Sequence, residues 1–380
     1  YMTQISLNNP FVVGKYVSDE YFCDREMETE TLIKHIINGR NVALISPRRM
    51  GKTGLIQHLY HQSAISESYY TFFVDIYSTS SLEEFVYLLG KEIFEKLKPR
   101  TTEWKELFFS VIKSFRVGFK LDVISGEPSF EIGLGDIRTP EITLDEIFNY
   151  LEQADKPCLI AIDEFQQVSK YQEKGVEALL RGKIQHCKQT SFIFAGSERH
   201  TMSNMFHSAA KPFYQSSVSM GLAPIPLKIY QTFAIQLFES KGKHITDETI
   251  TEIYTKYEGC TWFIQMIMNE VFALTSQGET CNTDILPIAY HNVVMSQESS
   301  YKEILMHLAP IQKTVLQAIA RERIAENITS AEFINKYNLR SASSVQSALK
   351  ALLKSNIVTR TECGYKVYDY FFADWLISQY

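Results

Sequence analysis

Ser46-Pro47-Arg48-Arg49-Met50-Gly51-Lys52-Thr53 is the stretch of this chain whose residue types and spacing say most about chemistry. It follows the apolar run Asn41-Val42-Ala43-Leu44-Ile45 and precedes Leu55–Tyr60, which has helical spacing. A tight loop between strand and helix turns backbone N–H groups and a helix N-terminus toward one point, the geometry of a cradle for nucleoside-triphosphate phosphates. Lys52 can reach the outer phosphates and the Thr53 hydroxyl can hold Mg²⁺. Pro47, Arg48, Arg49, Met50, Gly51, Lys52, Thr53 and Gly54 are the expected lining of that cradle. The motif opens with Gly where this chain has Ser46, and serine serves there if the position needs no positive φ.

A second run, Cys158-Leu159-Ile160-Ala161-Ile162-Asp163-Glu164, is apolar throughout and ends in two acids. Such a run reads as a strand buried on both faces, and its C-terminal end is where ligands bind in open α/β sheets. Asp163 is placed to help hold Mg²⁺, which takes oxygen ligands and keeps part of its water shell. Glu164 is placed to orient and polarise an attacking water. A third run, Ser191–Ala195, ends in Gly196-Ser197, which puts the Ser197 hydroxyl in reach of a γ-phosphate or of the water beside Glu164. The expected catalytic set is therefore Lys52, Glu164 and Ser197, with Thr53 and Asp163 for the metal and ATP as the nucleotide.

These residues need a scaffold, and 380 residues predict two or three domains. Thr71–Ile76 and Ser217–Leu222 read as further strands, which gives five for an open parallel sheet. Asp24 is a good N-cap for a helix to Ile37, with Gly39 as its stop. Leu82–Leu97, Leu144–Gln153 and Gly175–His186 have helical spacing. Between Arg116 and Leu134 the pattern alternates, with Ser125-Gly126-Glu127-Pro128 as a turn, so a β-hairpin is expected there as an insertion. Such an insertion either covers a face or meets a partner. Leu227–Gln297 reads as helical throughout, with helices near 227–240, 246–257, 261–275 and 284–297.

From Ala309 onward come a helix Ile311–Ala320, a short helix Ser330–Lys336, a turn, a helix Ala342–Ser355 capped by Ser341, and two strands around Glu362-Cys363-Gly364. This is the order of a winged helix-turn-helix. Helical spacing buries Val345, Leu349, Leu352 and Leu353 and leaves Ser343, Ser347, Lys350 and Lys354 on the other face. From Leu339 to Arg360 the chain has Arg340, Lys350, Lys354 and Arg360 and no acid, in a protein of net charge −6. That local excess suits phosphate contacts with duplex DNA, and Arg340, Ser343, Ser347, Lys350 and Lys354 are the candidates. A protein-facing or structural role for the same unit remains the alternative.

The net charge gives no global sign of nucleic acid binding. No run approaches the ~18 apolar residues of a membrane span, and no basic stretch followed by an apolar one suggests a secretory signal. Six scattered cysteines lack zinc spacing and read as reduced, which fits the cytoplasm.

Taken together, Asn9-Pro10-Phe11, Phe22–Glu26, Pro47–Thr53, Ile162-Asp163-Glu164-Phe165-Gln166, Ala195-Gly196-Ser197, Pro212-Phe213-Tyr214, Ser341–Val345 and Asp374-Trp375-Leu376 resemble the archaeal-type ATPases of the STAND branch of AAA+ proteins. The resemblance covers nearly the whole chain. It implies an α/β P-loop NTPase with a five-stranded parallel sheet over residues 1–225, carrying the hairpin at about 115–135. A helical lid over 226–300 and a winged helix-turn-helix over 301–380 would follow. It places the Ser191–Ala195 strand between the loop strand and the acidic strand, closes the lid over ATP, and sets adenine near Phe11, Val12 and the segment Phe22–Glu26. Two departures bear on turnover. Gln215-Ser216 follows Pro-Phe-Tyr where such proteins often have Gly-Arg, and Asp24 stands where they often have Gly. An arginine in the first place would stabilise developing phosphate charge. Slow hydrolysis is expected unless another arginine, such as Arg199, serves. The readings carried forward are a nucleotide-dependent switch with ATP or ADP bound, a DNA-binding regulator or mobile-element protein under ATP control, and a non-hydrolysing scaffold with a protein partner or self-association.

Overall fold

The structure, a computed structural model, describes residues 7–97, 118–121, 128–131, 137 and 139–379. They form two compact units: Gly14–Ile225, and the segment up to Val13 together with Pro226–Tyr380.

The first unit is built on strands β1 (Val42–Ile45), β2 (Tyr70–Asp75), β5 (Cys158–Asp163), β6 (Thr190–Gly196) and β7 (Val218–Met220), with β3 (Gly118–Leu121) and β4 (Pro128–Glu131) between them in the chain. The sheet order is β2-β5-β6-β1-β7, parallel throughout. β6 thus fills the slot between the loop strand and the acidic strand, as the resemblance implied.

Alternation sends successive side chains to opposite faces, and both faces are covered. Val42, Leu44, Leu159, Ala161, Ile193 and Ala195 meet Leu32, Ile36, Leu55, Ile56 and Leu59 of helices Glu26–Ile37 and Lys52–His61. Ala43, Ile45, Ile160, Ile162, Phe192 and Phe194 meet helices Leu82–Lys96, Pro140–Glu152, Val176–Ile184 and Arg199–His207. This explains why the strands read as unbroken apolar runs. The β3–β4 hairpin is antiparallel with Phe119 opposite Phe130. Pro128 belongs to its second strand rather than to the turn, and the turn residues Ser125-Gly126-Glu127 lie outside the described residues.

The second unit contains helices Leu227–Ser240, Asp247–Lys256, Thr261–Leu274, Leu286–Ser296 and Glu298–Met306. It is not helical throughout: β8 (His244–Ile245) and β9 (Thr280–Cys281) pair in parallel, too short to give a period in the sequence. Helices Pro310–Glu322, Ala331–Lys336 and Ala342–Lys354 follow, then a wing of β10 (Val358–Arg360) and β11 (Tyr365–Val367), then helix Tyr370–Ser378. Ser341 caps the Ala342 helix by accepting from the Ser344 N–H at 3.3 Å. In that helix Val345, Leu349 and Leu352 are buried as expected, with Ala348 buried beside them and Leu353 only half-buried. Within this unit Tyr257 stacks on Phe263 with centroids 5.9 Å apart and meets Phe371 edge-on at 5.4 Å. Asp374 pairs with Arg323 at 2.5 Å and Lys256 at 3.3 Å. The helical segment and the winged helix therefore share one core.

Phe165, Phe194, Phe206 and Phe213 form an aromatic cluster under the acidic strand, with centroid separations of 4.6 Å for Phe165–Phe194 and 5.5 Å for Phe194–Phe206. Phe194→Ala removes its centre and is expected to cost about 3–5 kcal/mol in urea unfolding; a loss below ~1 kcal/mol would show that this cluster does not carry the core.

Candidate nucleotide site

Strand register sets the site. Ile45 pairs with Gly196 and Ile162 with Phe194, so the ends of β1, β5 and β6 fall at one level on the C-terminal edge. The loop Ser46–Gly51, the acids Asp163 and Glu164, and Ser197 all emerge there.

The loop winds around Lys52, whose ammonium donates to the carbonyls of Ser46 at 2.9 Å and Pro47 at 3.3 Å. Gly51 has φ +93°, which only glycine adopts without strain, and Arg49 holds φ +68° despite its side chain. Ser46 is not among the positive-φ residues, so serine replaces the motif's glycine without strain. Its N–H donates to Gly196 O at 3.2 Å, and its buried hydroxyl has no partner among the described residues. Thr53 donates to Asp163 Oδ2 at 3.0 Å.

Lys52 is 6 % exposed and Asp163 7 %. Burial pushes the Lys52 pKa down, with Asp163 and Glu164 opposing and Arg48 adding to the push. Burial pushes the Asp163 pKa up, opposed chiefly by Lys52. Each charge is costly alone and tolerable beside the other.

Glu164 has left-handed backbone, φ +56°, and its side chain is held from three directions. Ser197 Oγ donates to its Oε2 at 2.6 Å, Gln166 donates to the same oxygen, and Arg48 Nε lies 3.7 Å from Oε1. Gln166 is buried beneath Gly196, where an added Cβ would stand 2.6 Å from Gln166 Oε1 and 2.5 Å from Met202 Sδ. The glycine therefore makes room for the amide that holds Glu164.

An oxygen pair of hydroxyl and carboxylate is what Mg²⁺ uses when phosphates and water complete its shell. Thr53 and Asp163 fit that role, and no cluster of three His, Cys, Asp or Glu among the described residues offers a denser metal site.

One expectation changes. Asp24 is not an N-cap: Asp24 and Arg25 are both left-handed, Arg25 occupies the cap position of helix Glu26–Ile37, and no side chain caps that helix. The turn sends Arg25 inward instead. It is 3 % exposed and donates to Glu28 at 2.7 Å, Ala223 O at 2.8 Å and Met50 O at 3.3 Å. It thus ties the pre-helix segment to the phosphate loop, a role that no local spacing announces. Phe11 and Val12 belong to the other compact unit. Phe11 is a core residue of that unit, its ring 5.4 Å from Phe238 and 5.9 Å from Phe272 and its carbonyl accepting from Asn269 at 2.7 Å. Val12 is half-buried and its carbonyl lies 3.5 Å from Gln265 Nε2. Phe22, in the segment expected near adenine, packs against Gly54 so closely that an added Cβ there would stand 3.3 Å from its ring.

At the winged helix, Arg340, Ser343, Ser347, Lys350, Lys354 and Arg360 are all exposed. Among the described residues none of these four cations forms an ion pair, whereas Lys366 on the wing is engaged by Glu258 at 2.7 Å.

Comparison with known proteins agrees with this architecture. Residues 299–378 match a family described as a probable winged helix domain. No curated protein sequence matches the chain. Among solved structures, the Walker-type ATPase PABY2304 of Pyrococcus abyssi superposes with a TM-score of 0.65 at 17 % identity, covering 97 % of this chain and 99 % of that one. The ORC2 protein of Aeropyrum pernix, in its ADPNP–ADP complexes, gives 0.60 at 14 % identity, covering 98 % and 96 %. The ORC1 protein of Aeropyrum pernix in complex with DNA gives 0.51 at 12 % identity, covering 94 % and 93 %. At such identities the likeness defines the fold. It is a P-loop NTPase sheet followed by a helical segment and a winged helix, the architecture of the archaeal-type ATPases that the motifs resemble.

Arg25→Met keeps the bulk of the side chain but leaves the Met50 and Ala223 carbonyls unpaired. It is expected to cost about 1–3 kcal/mol in urea unfolding, and an unchanged midpoint would show that the link to the loop is not structural.

Proposed function

We propose that this protein binds ATP with Mg²⁺ in the Ser46–Thr53 loop, hydrolyses it slowly, and acts as a STAND-type nucleotide-dependent switch whose output is the winged helix. The observation that carries the reading is the junction of Thr53 Oγ1 and Asp163 Oδ2 at 3.0 Å, with the Lys52 ammonium inside the loop and Glu164 alongside.

In this reading Lys52 exchanges its two loop carbonyls for phosphate oxygens. Thr53 and Asp163 hold Mg²⁺, which neutralises charge on the outer phosphates. Glu164 orients a water whose oxygen bonds to the γ-phosphorus as the bond to the β-bridging oxygen breaks. The water's proton passes by way of Glu164 to phosphate or solvent, and ADP leaves. The hold of Ser197, Gln166 and Arg48 on Glu164 supports slow turnover, since the carboxylate must be released before it can orient water. A bound nucleotide changes what the winged helix does only through its different affinity for two states of the protein.

The unpaired bases of the winged helix favour a second reading of its output, contact with duplex DNA rather than with a protein or another copy of the chain. All six cysteines are free, which supports a reducing compartment such as the cytoplasm. No helix among the described residues is long and apolar enough to cross a membrane.

The test is nucleotide binding and ATP turnover with Mg²⁺, with and without duplex DNA, in three proteins. Wild type is expected to bind and hydrolyse, Lys52→Ala to lose binding, and Glu164→Gln to keep binding and lose turnover. Wild-type turnover in Glu164→Gln would sink the mechanism, and binding without turnover by wild type would leave a nucleotide-bound scaffold. For the DNA reading, affinity should fall with salt at a log–log slope of about −0.9 per phosphate contact, and Lys350→Ala should make the slope shallower. Salt-independent or absent binding would assign the face to a protein.

A further inference from the structure

We propose that Arg48 stabilises the charge on the transferring γ-phosphate from within the phosphate loop, and that this guanidinium moves there from its seat on Ser197 and Glu164. The proposal rests on the ATP reading above and adds the residue which that reading lacks.

Three strand ends converge on Arg48. Its Nε donates to Ser197 Oγ at 3.3 Å, just beyond β6, and lies 3.7 Å from Glu164 Oε1, just beyond β5. Its Cζ sits 5.1 Å from the centroid of the Tyr77 ring, just beyond β2. The guanidinium therefore spans the C-terminal edge of the sheet, where ligands of such sheets bind, while its backbone is part of the loop around Lys52. Its terminal nitrogens make no hydrogen bond among the described residues, and the side chain is 33 % exposed. A planar fork with free donors, stacked on an aromatic ring and open on one side, is suited to two oxygens of one phosphate.

Two other arginines near this edge are accounted for differently. Arg25 is spent on the Met50 and Ala223 carbonyls. Arg199 is exposed at the start of the helix after Ser197 and has no bond to Glu164 or Ser197. Gln215-Ser216 supplies no arginine after Pro-Phe-Tyr.

The seat is weak by construction. At 3.7 Å the Arg48–Glu164 pair lies beyond hydrogen-bond distance, and a single carboxylate competes poorly with a triphosphate for a guanidinium. Arrival of the γ-phosphate draws Arg48 from Glu164, which supplies the positive charge where negative charge develops and frees Oε1 to hold water while Ser197 and Gln166 keep Oε2 in place. One side chain thus links occupancy of the γ-site to readiness of the base.

The experiment uses the full chain with Arg48→Ala and Arg48→Lys. Affinities for Mg²⁺–ADP and for Mg²⁺–ADP with aluminium fluoride, a mimic of the transferring phosphoryl group, are read by calorimetry beside single-turnover rates. Arg48→Ala should bind ADP within about threefold of wild type and bind the fluoride complex ~100-fold more weakly or worse. Its turnover should fall about 10³-fold, with Arg48→Lys recovering only part because it has charge without the fork. The proposal is overturned if the fluoride complex is unaffected, if ADP weakens as much as the complex, or if turnover rises, which would make Arg48 a latch alone. Failure of wild type to bind ADP at all would instead remove the ATP reading. ADP binding by the variant doubles as the check that it is folded.

Discussion

The parallel order of β5, β6 and β1 is the constraint on which the site depends. The loop strand and the acidic strand are not neighbours, so Thr53 and Asp163 meet only because β6 separates their strands at a fixed spacing and register. A parallel sheet of this kind must be covered on both faces, and the two buried layers of helices do that. The sheet in turn brings three loop starts to one edge, where a buried lysine and a buried aspartate offset each other's desolvation.

Two left-handed backbone positions lie at the same edge. Arg49 and Glu164, both non-glycine residues, sit in the left-handed region, one in the loop around Lys52 and the other next to Asp163 in the chain. Such positions persist where the surroundings fix them. Here the fixing groups are Gly196, which makes room for Gln166, and Arg25, which grips the Met50 carbonyl.

In the second unit the helical segment and the winged helix are joined by aromatic packing around Tyr257 and by the two cations on Asp374. The N-terminal residues Asn9 and Phe11 are stitched to the same unit, through Asn9 Nδ2 to Asn269 O at 2.8 Å and the burial of Phe11.

Much of this was legible in the chain. Gly-Lys-Thr between an apolar run and a helical one, acids at the end of a second run, and Ser341 before Ala342 are local patterns, and local backbone preferences and solvation enforce them without tertiary help. They gave the five parallel strands, the wing and the residues at the sheet edge. They misplaced the cap at Asp24 and missed the strand pair β8–β9. In both cases a long-range partner decided the outcome: Met50 and Ala223 for the turn at Arg25, and Thr280–Cys281 for His244–Ile245. The sequence by itself determined which residue types were present and how they were spaced along each element. Tertiary structure alone decided that Arg48 lies against Ser197 and Glu164, residues more than a hundred positions away, because strand order and register, rather than chain separation, set which side chains meet.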